Sequence, residues 1–121
     1  MTLVARHGLA VMTQREMTHA MYDAYVSGDR AAAEALLADD FQFFSPADPG
    51  IDRDRYFERC WPNATLLSAY TFVRFIDAGD EVIVTYEATR TDGSRFRNTE
   101  ALTFAGEKLR RAEVYFGWDL D

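Results

Sequence analysis

The order of apolar and polar positions splits the chain into a helical first half and a stranded second half. From Thr13, apolar residues fall at Met17, Ala20/Met21 and Ala24/Tyr25, the three-to-four spacing of one helix face. Thr13 with Glu16 is a capping-box start. Gly28 is a helix stop, since glycine takes the left-handed C-terminal conformation without steric cost. Asp29 predicts the cap of a second, alanine-rich helix through about residue 38, with Ala33, Leu36 and Leu37 turned inward. Asp39 and Asp40 close it, and Phe41, Gln42, Phe43 and Phe44 read as a short strand. Residues 46–50 are loop by composition. Asp52 caps a third helix of two or three turns, with Tyr56, Phe57, Cys60 and Trp61 on one aromatic-rich face before Pro62 stops it.

After Leu66 the period changes. Residues 70–76, 81–90, 95–104 and 108–116 are β-branched and aromatic runs, broken at Gly79, Gly93 and Gly106. Glycine at each break predicts hairpin turns, and connections this short cannot hold parallel crossovers. Helices followed by a meander imply an α+β fold with the helices on one face of a curved, mixed or antiparallel sheet. The opposite face, where Tyr115 and β-branched residues alternate with arginine and threonine, suits a subunit interface.

Composition narrows the function. The chain has 121 residues, 48% of them hydrophobic, enough for one domain (1–121) with a proper core. Thirteen basic against 20 acidic side chains give a net charge of −7, the reverse of what phosphate binding needs. No basic cluster stands by a long apolar face, and no apolar run is long enough to span a bilayer, so neither nucleic acid nor membrane is an expected partner. Residues 1–12 lack the basic start and long apolar stretch of a signal peptide. One cysteine and two histidines (His7, His19) make a poor metal set and no internal disulfide. No Gly-rich phosphate loop, HExxH or paired CxxC is present. The expected setting is cytoplasmic, with no cofactor.

Three stretches resemble the SnoaL-like branch of the nuclear-transport-factor-2-like (NTF2-like, cystatin-like) superfamily. They are Tyr22-Asp23-Ala24-Tyr25-Val26-Ser27-Gly28-Asp29 with Leu36-Leu37-Ala38-Asp39-Asp40-Phe41; the middle segment from Ser45-Pro46 to Cys60-Trp61-Pro62; and Val114-Tyr115-Phe116-Gly117-Trp118-Asp119. The resemblance implies a cone, three N-terminal helices on a bent sheet around an apolar pocket, usually as a homodimer. Relatives include steroid isomerases, polyketide cyclases, epoxide hydrolases and dehydratases beside members without catalysis, so the fold does not choose the function. Counting from Gly28-Asp29, the oxyanion-hole tyrosine of the steroid isomerases falls at Met21 and their aspartate base at Ser45. Only their second acid has a counterpart, Glu100. The arginine–aspartate set of the epoxide hydrolases is matched only by Arg90-Thr91-Asp92, at a hairpin tip where it is solvated.

Glu100 is therefore the candidate catalytic residue. A three-residue hairpin loop puts Asn98, Glu100, Leu102 and Phe104 on one face beside Val82, Val84, Tyr86 and Ala88. A carboxyl in that company is desolvated and becomes a general acid/base. A two-residue Asp-Gly turn would instead set Glu100 opposite Thr85, and an arginine partner would make it structural. Tyr22, Phe44, Trp61, Tyr86, Asn98 and Phe116 are the candidate ligand-binding residues, with plain core as the alternative for each aromatic. Ser45 reads as a strand stop, Asp23 as a solvated helix acid, Cys60 as a buried small apolar group, and residues 53–59 as an exposed, salt-bridged helix. The expected ligand is a small apolar molecule, handled by cofactor-free isomerase-, cyclase- or dehydratase-type proton transfer. The alternative is a non-catalytic ligand-binding or protein-interaction module.

Overall fold

The computed structural model describes residues 4–6 and 9–120, with side chains from residue 12 onward. His7 and most of the segment weighed as a leader lie outside those residues or their described side chains. Strands β1 (Val4–Arg6) and β2 (Leu9–Val11) pair antiparallel with each other ahead of helix α1 (Gln14–Ser27). Thr13 caps α1 as its sequence predicts: Glu16 N–H donates to Thr13 Oγ1 at 3.1 Å, and Thr13 N–H to Glu16 Oε1 at 2.8 Å. Gly28 ends the helix at φ 73°, in the left-handed region. Thr18 sits fully buried on the inner face, its hydroxyl satisfied by the Gln14 carbonyl one turn back at 2.8 Å.

Helix α2 (Arg30–Leu36), capped by Asp29, is shorter than its alanine-rich sequence predicts. Leu37 is already extended and opens strand β3 (Leu37–Ser45), so Asp39 and Asp40 lie in a strand rather than at a helix end. Pairing with the last strand overrides helix propensity here. The Pro-Gly segment is likewise not a free loop: strand β4 (Asp48–Asp52) folds back antiparallel on β3. Proline is tolerated because β4 is the edge of the sheet, where a missing N–H breaks no ladder bond. Asp52 then caps helix α3 (Arg53–Arg59). Pro62 begins a 3-10 helix (Trp61–Leu66) instead of merely stopping α3, since the first turn needs no N–H from it.

The remaining strands, β5 (Leu67–Ala78), β6 (Glu81–Arg90), β7 (Arg95–Ala105) and β8 (Lys108–Leu120), form the expected meander. The six-stranded order is β4-β3-β8-β7-β6-β5, and β3 runs parallel to β8. The sheet is therefore mixed. Bulges in β5 and β8 bend it, and α1 and α3 lie on its inner side against β5 and β3. Met17, Phe41, Val82, Val84 and Leu102 are buried between the layers, each contributing about 1.5–3 kcal/mol over an exposed position.

The β6–β7 turn sets the register that matters for function. Arg90 N–H donates to the Ser94 carbonyl at 2.8 Å and Gly93 N–H to the Arg90 carbonyl at 2.9 Å, leaving a three-residue loop. Glu100 consequently faces Val84, with Asn98 opposite Tyr86 and Leu102 opposite Val82.

Candidate functional site

Between the inner face of the sheet and the helices lies a cavity of about 660 Å³. Its wall is mostly apolar, built by residues such as Met21, Phe41, Phe43, Leu102, Leu109 and Val114. Alternation along the strands decides who reaches it. Of the predicted site residues, Glu100, Tyr22, Tyr86, Asn98 and Phe116 all line this space.

Glu100 projects from the middle of β7 into the cavity. Glu100 is half-buried and lines that space. Burial is the largest influence and pushes its carboxyl above the ordinary glutamate range. Tyr22 and Tyr86 pull the other way, because a hydroxyl donating toward the carboxyl favours the charged form, but burial outweighs them. Burial first, and then the Glu100 carboxylate, pushes both tyrosines well above their ordinary range.

The Tyr22 hydroxyl is fully buried and meets no partner at hydrogen-bonding geometry, although Glu100 is close enough to shift it. Buried unpaired hydroxyls are uncommon and call for a partner. Tyr86 is held by Asn98, whose Nδ2 donates to its hydroxyl at 3.2 Å. Asn98 Oδ1 accepts from Gly117 N–H at 3.1 Å, pinning the bulge where Asn98 faces Phe116 and Arg97 faces Trp118. Gly117 is needed there: a Cβ would lie 2.2 Å from the Arg97 carbonyl oxygen. The bulge leaves Phe116 and Trp118 about 60% exposed beside the cavity, where Arg90, paired with Asp119 at 3.3 Å, also stands.

A second polar group lies on the β3–β4 side. Asp48 is buried; its Oδ1 accepts from Arg59 Nε at 2.6 Å, and its Oδ2 accepts from Ser45 Oγ at 3.2 Å and Cys60 Sγ at 3.8 Å. Burial, and then the Asp48 charge, push the Cys60 thiol up to about 11, so it stays protonated and is a poor nucleophile. Tyr25, between the two polar groups, donates to the Cys60 carbonyl at 3.0 Å and is raised by burial first, then by Cys60 and Glu100. Sequence reasoning missed Asp48 because its segment read as loop. The exposed, salt-bridged reading of this helix holds for Arg55–Glu58 at 3.0 Å and for Arg59, which stays exposed while its guanidinium reaches the buried Asp48 carboxylate.

Two candidates are placed elsewhere. Phe44 does not line the cavity: successive β3 side chains alternate, so Phe43 faces inward while the Phe44 ring lies under the Arg111 guanidinium at 4.4 Å and against Gly50. Trp61 packs edge-on to Tyr25 at 5.3 Å and beside Phe57 at 5.7 Å, behind the wall rather than in it. Met21 and Ser45 do line the cavity, with no phenol at one and no carboxylate at the other. Asp23 is exposed and accepts from Tyr70 at 2.7 Å. Asp92 stays at the hairpin tip, capping Ser94. Among the described residues no group of three His, Cys, Asp or Glu side chains is placed to hold a metal ion, and no helix is long and apolar enough to cross a membrane.

The sequence profile of the SnoaL-like domain matches residues 18–112. The chain belongs to the SnoaL-like family. Its fold recurs in solved structures: a Kribbella flavida protein (17% identity, 84% of each chain covered, TM-score 0.75), and an NTF2-like protein of unknown function from Burkholderia pseudomallei (17% identity, 88% of this chain and 92% of that one, TM-score 0.70). A proposed ketosteroid isomerase from Kribbella flavida is similar as well (18% identity, 88% of this chain and 79% of that one, TM-score 0.71). At such identities the SnoaL-like fold is what these structures share. No curated protein matches the sequence.

Proposed function

We propose that this SnoaL-like protein binds a small, largely apolar molecule carrying a carbonyl or similar oxygen, and that Glu100 acts on that oxygen as a hydrogen-bond and proton donor. The observation that carries the reading is a carboxyl raised by burial, beside an unpaired Tyr22 hydroxyl, in a mostly apolar cavity. A carboxyl kept neutral near pH 7 can donate where an ionised one cannot. Chemistry follows if solvent water takes the proton from the carbon next to the carbonyl while Glu100 gives one to its oxygen: enolisation, and from it isomerisation, cyclisation or dehydration. The test is deuterium exchange into cyclohexenone beside its carbonyl, followed by NMR, with wild type and Glu100→Gln. Catalysed exchange lost in Glu100→Gln supports acid/base chemistry; binding of enones without exchange supports a carrier. The second reading has its own support, since Met21 and Ser45 stand where the steroid isomerases keep two of their three groups.

We further propose that the outer face of the sheet joins two copies of the chain. Val73, Ile76 and Tyr115 are each about half exposed there (45%, 47% and 57%). Between them run Arg74, Thr85 and Thr99, linked by hydrogen bonds of 2.9 Å from Arg74 to Thr85 and between the two threonines. An apolar patch with its polar groups internally paired favours burial against a partner.

A further inference from the structure

The cavity's two polar groups stand in one cross-strand row. Asp48 pairs with Ser45 across β4–β3. Phe44 faces Glu113 in the parallel β3–β8 pair, which sets the next residue, Ser45, beside Val114. Val114 in turn faces Glu100. Asp48, Ser45, Val114 and Glu100 thus follow one another across four adjacent strands, and all four line the cavity. Strands are spaced about 4.8 Å apart, so Ser45 and Asp48 stand roughly 10–14 Å from Glu100 along the sheet and nearer across its concave side.

The two ends of the row differ in chemistry. At the Glu100 end stand the carboxyl, a donor on the reading given above, and the Tyr22 hydroxyl, buried and without a hydrogen-bond partner. At the other end Asp48 is a buried carboxylate tied to Arg59, with Ser45 and Cys60 also turned to it. A carboxylate only accepts, and its two oxygens offer about four lone-pair sites, of which these contacts use three. Between the ends the row holds valine. A ligand matched to this wall has an acceptor oxygen at one end, a hydroxyl or amine donor at the other, and an apolar body between.

We propose that Asp48, seconded by Ser45, is the specificity-determining residue of the cavity, selecting two-ended ligands of the hydroxy-ketone class. This rests on the reading of Glu100 given above. It assigns Asp48 a role in choosing the ligand and none in moving a proton.

The test uses a matched pair of probes, chalcone and para-hydroxychalcone, which share the enone and differ by one hydroxyl at the far end. Binding is measured by titration with wild type, Asp48→Asn and Ser45→Ala. A hydrogen bond to a charged group is worth about 1.5–3 kcal/mol, so wild type is expected to prefer the hydroxylated probe by about tenfold or more. Asp48→Asn should remove most of that preference by weakening para-hydroxychalcone far more than chalcone, and Ser45→Ala should reduce it with Asp48 still in place. Equal affinity of wild type for both probes overturns the inference and leaves the Glu100 reading standing. Equal weakening of both probes in Asp48→Asn also overturns it, because a merely structural aspartate acts on both alike. Binding of neither probe to wild type overturns the Glu100 reading and this inference with it. Wild-type preference is read without any substitution, so a variant that fails to fold does not remove the test.

Discussion

The Tyr22 hydroxyl of α1 stands beside the Glu100 carboxyl of β7, buried and without a hydrogen bond of its own. The two groups hold each other in opposed states. The hydroxyl favours the charged carboxyl, while the charge disfavours ionisation of the phenol. Tyr22→Phe removes the smaller, opposing influence and leaves burial in charge, so Glu100 should titrate higher in the variant than in wild type. Stability should change by less than about 1 kcal/mol, because an unpaired buried hydroxyl gives little in return for its desolvation. Side-chain carboxyl NMR and denaturant unfolding of the two proteins check both statements.

Glu100 also makes stability depend on pH. Its folded-state carboxyl binds a proton more tightly than the unfolded chain does, because burial penalises the charge. Below the unfolded glutamate range, near ~4.3, both states are protonated and the penalty vanishes. As pH rises through the raised folded value, stability is lost, at about 1.4 kcal/mol for each tenfold difference between the two ionisation constants. Glu100→Gln carries no such charge. Its stability relative to wild type should therefore grow from mildly acidic to mildly alkaline pH, as followed by unfolding midpoints across that range.

Gly117 is held against the Arg97 carbonyl with no room for a side chain. Gly117→Ala should cost about 1–3 kcal/mol, the usual toll of overpacking. It should also loosen the Asn98 bond to the bulge and, through it, the placement of Tyr86. A lowered melting temperature together with shifted Asn98 and Tyr86 resonances is the expected result.

The proposed contact between copies is tested by Tyr115→Glu. Tyr115 faces Thr99 near the centre of the outer sheet face, so a charge there should be costly only when another surface covers it. Sedimentation should show wild type as a dimer and the variant as a stable monomer. A wild type that sediments as a monomer at tens of micromolar would rule the contact out.

Much of this site was legible because strands alternate and turns fix register. Gly93 marked the β6–β7 turn but left a two-residue Asp-Gly turn open; the three-residue loop sets Glu100 opposite Val84, and period two brings Asn98, Tyr86 and Leu102 to the same face. Tyr22 followed from helical spacing, one residue beyond the buried Met21. The failures share a cause. Phe43 and Phe44 are adjacent and alike, so nothing local says which faces inward, and the parallel pairing of β3 with the distant β8 decides it. Asp48 was hidden by its neighbours, because Pro49 and Gly50 are loop formers anywhere except at a sheet edge, where β4 lies. Trp61 shares its stretch with Cys60, but the 3-10 turn that begins there takes its ring to Tyr25. In each case a long-range contact overrode a local preference.

The most direct test of the account is the titration of Glu100 itself, by NMR of the side-chain carboxyl in the unliganded protein. A midpoint clearly above the model-peptide value of ~4.3 is predicted, and it should move toward that value when Leu102→Ser, which adds no charge, admits water to the cavity. A midpoint at or below the model value would mean a solvated or ion-paired carboxylate, and would contradict the neutral donor on which the proposed function depends.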